Sequence, residues 1–145
     1  PDPEADQGRH KFTYALLPHR GDFAVDTVVR EAYALNVPLC AVKVDAAKAE
    51  AAEEGDEATM FCEVDADNVI VEAVKKAENE DAVIVRLYEA GNRRAGVRIR
   101  FGRPLKRIAE CNLMEEHDQS LAAEENCVAV EFRPFEIKTL KATFR

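Results

Sequence analysis

At 145 residues the chain amounts to about one domain. Its 47% hydrophobic and 33% charged residues are the balance of a chain that folds around a core, which excludes a disordered tail. A net charge of -8 excludes nucleic acid and anionic membrane as general partners, because such binding draws on Lys and Arg neutralising phosphates. No apolar run approaches the roughly 20 residues that span a bilayer, and no basic-then-apolar signal region opens the chain.

The opening PDPEADQGRH is polar and holds no Met, as expected of a cut inside a longer polypeptide. From His10 to Leu17, Phe12, Tyr14 and Leu16 alternate with Lys11, Thr13, Ala15 and Leu17, which predicts a strand. Pro18-His19-Arg20-Gly21 breaks it. Asp22 is then placed to cap a helix carrying Val25, Val28, Val29, Ala32 and Leu35 at helical spacing, and Pro38 prevents its continuation. Leu39 to Val44 is an apolar run of strand length. Asp45 to Thr59 is rich in Ala and Glu but almost without large apolar residues, so a mobile surface excursion is expected, with an exposed helical turn as the alternative. Met60 to Val64 resumes as a strand.

Asn68 to Glu78 carries two signals. Val69, Ile70, Ala73, Val74 and Ala77 fit one face of a helix capped by Asp67 or Asn68. Yet the polar turn Asn79-Glu80-Asp81 leads into Ala82 to Tyr88, dense in β-branched and aromatic residues, and a hairpin across that turn is equally natural. Beyond it the period is two: Val97, Ile99 and Phe101 alternate with Arg98 and Arg100, and Val128, Val130 and Phe132 alternate with Ala129 and Glu131. Phe135 and Ile137 lie on one face but Leu140, Ala142 and Phe144 on the other, so a bulge or a change of partner sheet is expected near Lys138-Thr139. The fold class predicted is all-β, an antiparallel β-sandwich with one short α-helix.

Chemistry-bearing patterns are sparse. His10, His19 and His117 are scattered, and Cys40, Cys62, Cys111 and Cys127 form no Cys-x-x-Cys pair, so no zinc site is expected. The cysteines sit beside apolar residues and read as four free thiols, which fits a reducing compartment; one or two disulfides remain the alternative. Adjacent acids such as Glu53-Glu54, Glu115-Glu116 and Glu124-Glu125 follow from composition, and a retaining glycosidase needs two carboxyls held about 5 Å apart across a sugar, not exposed runs of Glu. In the basic cluster Arg93, Arg94, Arg98, Arg100, Arg103, Lys106 and Arg107, Arg98 and Arg100 alternate with Val97, Ile99 and Phe101, as on the solvated face of a strand. One constellation stands out: Arg86, Tyr88 and Glu89 offer two charges and a phenol at the end of a strand, a candidate interface or sugar contact. The plainer alternative is an Arg86-Glu89 surface pair with Tyr88 packed beneath. No residue is assigned as catalytic, cofactor-binding or metal-ligating.

Three blocks carry a resemblance. Pro1-Asp2-Pro3-Glu4-Ala5-Asp6-Gln7-Gly8 with His10-x-Phe12-Thr13-Tyr14-Ala15-Leu16-x-Pro18-His19, then Asn68-Val69-x-Val71-x-Ala73-Val74-Lys75-Lys76-Ala77-Glu78 followed by Arg86-Leu87-Tyr88-Glu89, and finally Phe132-Arg133-Pro134-Phe135-Glu136-Ile137-Lys138-Thr139-Leu140 resemble, in order, the C-terminal part of glycoside hydrolase family 38 α-mannosidases. The resemblance implies that Asn68 to Lys76 is a strand. It also implies two parts, 1-45 as a leading strand and helix from a preceding sandwich and 60-145 as the terminal sandwich of a larger enzyme. That enzyme would hydrolyse terminal α-linked mannose with retention, using zinc or another divalent metal. The family's catalytic and metal-binding motifs match no position here, which implies a non-catalytic domain supporting the cleft of an N-terminal catalytic region of the same polypeptide, with no cofactor of its own. Its partners would be that region and, through it, a mannose-containing oligosaccharide. The first block resembles the cytosolic and bacterial branch of the family more than the secretory one, which implies a cytoplasmic location. The alternative is a free-standing carbohydrate- or protein-binding sandwich, since a fold alone does not fix a function.

Overall fold

The computed structural model describes residues 3, 5–43 and 60–145, and the excursion expected over 45–59 lies outside them. Among the described residues one helix, α1 (Val25–Asn36), precedes nine strands: β1 (Cys62–Val64), β2 (Val69–Lys76), β3 (Val83–Glu89), β4 (Ala95–Phe101), β5 (Leu105–Cys111), β6 (Gln119–Ser120), β7 (Ala123–Glu124), β8 (Cys127–Phe132) and β9 (Ile137–Phe144). They form two antiparallel sheets, ordered β1-β4-β8-β7 and β2-β3-β9-β5-β6. The sandwich with a single helix is the predicted class.

The core follows from period-two patterning. β4 and β8 pair so that Val97 lies opposite Val130 and Ile99 opposite Val128, with the intervening arginines turned outward. From the other sheet Val85, Leu87, Leu140 and Ala142 face them, and all are buried. Phe101, fully buried, meets Phe61 and Phe144 edge-on at 6.1 and 5.7 Å between ring centroids, a favoured aromatic geometry.

β2 is a strand, paired with β3 from Val69↔Glu89 to Lys76↔Val83, and its register slips between Val71 and Ala73. That slip explains its helix-like sequence. Val69 and Val71 face the core, and past the extra residue Glu72 the phase changes so that Val74, opposite Val85, points to the same side, although on this edge strand it is left 48% exposed. A bulge thus reproduces helical spacing in an extended chain.

The irregularity expected in β9 is absent opposite β3, where Ile137 to Ala142 pair without interruption with Tyr88 to Val83. Leu140 and Ala142 face the core, whereas Ile137, Thr139 and Lys141 face outward. Thr139 and Lys141 are nevertheless buried. The loop after β5 accounts for this: Lys141 Nζ donates to the Glu115 carbonyl and the Glu80 carboxylate, both at 2.7 Å, and Asp118 Oδ1 lies 3.0 Å away. The slip in β9 pairing lies opposite β5, between Leu105 and Arg107. It scrambles the apolar pattern of β5, a strand not predicted from sequence.

The N-terminal part departs most from expectation. Residues 10–17 form no strand, and Phe12, Tyr14 and Leu16 are 79%, 86% and 94% exposed. Residues 39–43 are likewise unpaired. α1 forms where predicted, but its N-cap is Ala24, without a side-chain cap, rather than Asp22. The Thr27 amide donates instead to Asp26 in the first turn, where a carboxylate also suits the helix dipole.

Candidate functional site

Arg86, Tyr88 and Glu89 all lie on β3, but the strand's pleat separates them. Glu89 is in phase with Val83, Val85 and Leu87 and points inward; Arg86 and Tyr88 point outward with Ile84. Arg86 and Glu89 therefore do not form the surface pair considered from sequence. Arg86 instead donates to Thr139 Oγ1 at 3.3 Å and the Leu113 carbonyl at 3.4 Å.

Glu89 is 0% exposed and serves as a hub at one end of the sandwich. Its Oε1 accepts from Asn68 Nδ2 at 2.7 Å and the Gly91 amide at 2.6 Å; its Oε2 accepts from the Phe135 amide at 3.0 Å and the Arg93 amide at 3.3 Å. One carboxylate thereby ties the start of β2, the β3–β4 turn and the β8–β9 turn together. Burial alone pushes its pKa up, but the amide and side-chain N–H donors outweigh it and hold the group below the usual carboxylate range. Gly91 suits this close approach, since a Cβ there would stand 3.0 Å from Glu89 Oε1 and 3.1 Å from Asn68 Cβ, and both side chains would have to give way.

The β8–β9 turn, Arg133-Pro134-Phe135-Glu136, is itself tightly held. Glu136 accepts from the Arg133 amide at 2.7 Å and from its guanidinium at 2.7 and 2.9 Å, and its pKa is lowered chiefly by that guanidinium. Phe135 sits at φ 57°, the left-handed region that a bulky side chain rarely adopts, and its ring is 61% exposed.

α1 joins the same end. Asp26, buried, forms an ion pair with Arg93 at 2.8 Å, and its pKa is lowered first by the Thr27 amide and then, against desolvation, by Arg93. Arg30 donates to the carbonyls of Asp67 at 2.8 Å and Ala66 at 3.0 Å. Tyr33 donates its hydroxyl to Glu72 and also lies against Tyr88; the carboxylate, then Tyr88, raises its pKa. Of the outward residues of β3, Tyr88 thus meets the helix through Tyr33, while Glu89 on the inner side anchors the loops around it.

Glu89 was singled out from sequence as a surface contact rather than as an inward acid, although its phase with Val83, Val85 and Leu87 carried that signal. Asp26, Asn68, Arg93 and Phe135 were not marked as parts of the site: their roles depend on loop geometry and on contacts between distant segments, for which no local pattern exists.

Among the described residues no three His, Cys, Asp or Glu side chains converge as a metal site, and no helix is long and apolar enough to cross a membrane. The four cysteines are free. Cys62 lies opposite Phe101 and Cys127 opposite Arg100, so the two sit on different faces of their sheet and cannot bridge.

The profile of the glycosyl hydrolases family 38 C-terminal beta sandwich domain matches residues 68–140, from the Asn68 anchor through most of β9. The chain is similar to alpha-mannosidase 2C1 of Homo sapiens, 34% identical over 147 residues, and to its Mus musculus counterpart, 32% identical over 145 residues. It is also similar to alpha-mannosidase G of Dictyostelium discoideum, 32% identical over 146 residues. In each case 97% of this chain but only 13% of the relative is covered, so the chain spans a small part of the length of the curated relatives it matches.

Proposed function

The chain belongs to the glycosyl hydrolase family 38 C-terminal β-sandwich domains, and from that premise we propose that it is the non-catalytic C-terminal domain of an α-mannosidase, holding the walls of a cleft formed by an N-terminal catalytic region of the same polypeptide. The observation that carries this reading is the use made of the buried acids. Glu89 is saturated by four N–H donors, and Asp26 by an amide and a guanidinium, which leaves neither free to transfer a proton or attack a sugar. They fix loops and a helix, and rigid support is what a preorganised cleft requires.

Hydrolysis of terminal α-linked mannose, with a mannose-containing oligosaccharide as substrate, then belongs to the whole polypeptide. The zinc or other divalent metal of such an enzyme does not fit the described residues, which bring no three ligands together; it would be held upstream. Residues 1-45 are assigned to a preceding sandwich and 60-145 to the terminal one. Support comes from Phe12, Tyr14 and Leu16, which alternate as a strand does yet lie almost bare. A cytoplasmic location is supported by the four free thiols.

The test is hydrolysis of an aryl α-mannoside by this chain alone, with zinc or cobalt added, beside the chain mixed with its upstream catalytic region. The expected result is no turnover alone and activity or stabilisation on mixing. Metal-dependent turnover by the 145 residues themselves would sink the proposal.

A further inference from the structure

Phe135 combines three features, the first set by the Pro134-Phe135 turn that the Glu136 amide closes on the Arg133 carbonyl at 3.1 Å, the last explained by no contact among the described residues. Its backbone adopts φ 57°, a conformation unfavourable for a bulky L-residue. That conformation is fixed by a fully buried carboxylate, since the Phe135 amide is one of the four donors to Glu89. And the ring so positioned is 61% exposed. Strain that the surroundings over-determine, ending in a solvent-facing aromatic, points to a contact made outside these residues.

The neighbouring surface agrees. Ile137, two residues on, faces outward and is 59% exposed, and its cross-strand partner is Tyr88, which lies against Tyr33 of α1. We infer that Phe135 and Ile137 form the anchor by which this domain docks onto the upstream part of its own polypeptide, the aromatic ring entering an apolar pocket there. The inference rests on the domain assignment proposed above and adds the surface through which it acts.

The occupant follows from three observations. The chain spans 13% of the length of its relatives, so most of such a polypeptide lies outside it. The Phe135 turn is joined to the leading segment through one network, Phe135 to Glu89 to Arg93 to Asp26 of α1. The first turn of α1, which follows the bare apolar side chains of the leading segment in sequence, is therefore fastened at the same end of the sandwich as Phe135. Finally, a second copy as occupant would oppose two chains each of net charge -8, which disfavours self-association. A rigidly held, exposed aromatic beside a second exposed apolar side chain is the kind of residue on which interface hot spots are built.

The experiment uses the full-length polypeptide with a photoreactive benzoylphenylalanine in place of Phe135, irradiated and mapped by mass spectrometry. The expected product is an intramolecular adduct with a peptide upstream of the segment corresponding to these 145 residues. An adduct confined to these residues, an adduct between two copies, or none at all would each overturn the inference. A second variant guards against disturbance of the turn: Phe135→Asn retains a residue tolerant of positive φ. In it, amides of the upstream contact should exchange roughly tenfold faster or more, as for loss of a hot spot, while those of β9 are unchanged; equal exchange everywhere would count against the anchor. α-Mannosidase activity of the unmodified full-length protein is measured separately. Activity without an upstream adduct defeats only the docking surface, whereas a full-length protein inactive on α-mannosides defeats the domain assignment.

Discussion

Two stretches of this chain carry the same sequence signal and meet opposite fates. Phe12, Tyr14 and Leu16 alternate with smaller or polar residues as regularly as Val97, Ile99 and Phe101 do, yet the first three lie almost bare and the second three are sealed in the core. The difference is not in the local pattern. β4 has β1 on one side, β8 on the other, and a second sheet facing it, whereas residues 10–17 pair with nothing among the described residues. Alternation states which face of a strand should be buried; it does not supply the surface that buries it.

The sharpest way to test that contrast is to remove one ring from each stretch. Phe101→Ala, which deletes the centre of the Phe61–Phe101–Phe144 cluster, should cost about 4 kcal/mol in urea unfolding of this chain, as large-to-small changes in packed cores do. Phe12→Ala should change stability by less than about 0.5 kcal/mol. Comparable losses from the two would show that the leading stretch is packed after all.

Glu89→Gln comes next. An amide cannot serve four N–H donors without turning its own NH2 group against two of them, so a loss of about 2 kcal/mol is expected at pH 7. The pH dependence has a definite sign. The folded-state pKa of Glu89 is depressed, so its contribution is complete above the ordinary carboxylate range and is lost as pH falls through the folded value. The gap between wild type and Glu89→Gln should therefore narrow below about pH 4. A gap that stays constant to pH 3 would mean that folding leaves the proton affinity of Glu89 unchanged and that its four donors do not favour the ionised form.

These effects also mark how far the sequence could be read. The sandwich class, α1 and the strands at 62–64, 83–89, 95–101 and 127–132 were legible, because each has one face in the core and one outside. β5 was not, because a register slip beside Arg107 breaks its period, and β6 and β7 are too short to show one. β2 was legible only through family resemblance: its bulge at Glu72 shifts Val74 into phase with a helix. In β9 an expected irregularity was an artefact of reading burial into Ile137, which points outward and is 59% exposed while Leu140 and Ala142 fill the core in unbroken register. At the site, Glu89 was visible as a residue but not as a hub, because its partners come from turns whose geometry leaves no periodic trace.

A smaller effect separates the leading part from the sandwich directly. Asp26→Ala removes the ion pair to Arg93 that fastens the first turn of α1. Amides of α1 should then exchange roughly fivefold faster, corresponding to about 1 kcal/mol of local stability. Amides of β3 and β4 should exchange at their original rates. Acceleration throughout both sheets would show instead that helix and sandwich unfold as one unit.

The smallest effect expected within this chain is the most informative about what lies beyond it. Leu16→Ser changes a side chain that is 94% exposed, so unfolding of the 145 residues should shift by no more than about 0.3 kcal/mol. If the leading segment completes a preceding sandwich, the same substitution in the longer polypeptide exposes the defect, because burying a leucine contributes about 2 kcal/mol. Scanning calorimetry of both lengths resolves the difference, and near-silence in both would leave Leu16 a surface residue and remove the leading segment from the docking face. A loss in the longer protein alone would show that the strand signal at residues 10–17 is answered by a sheet that these residues do not themselves provide.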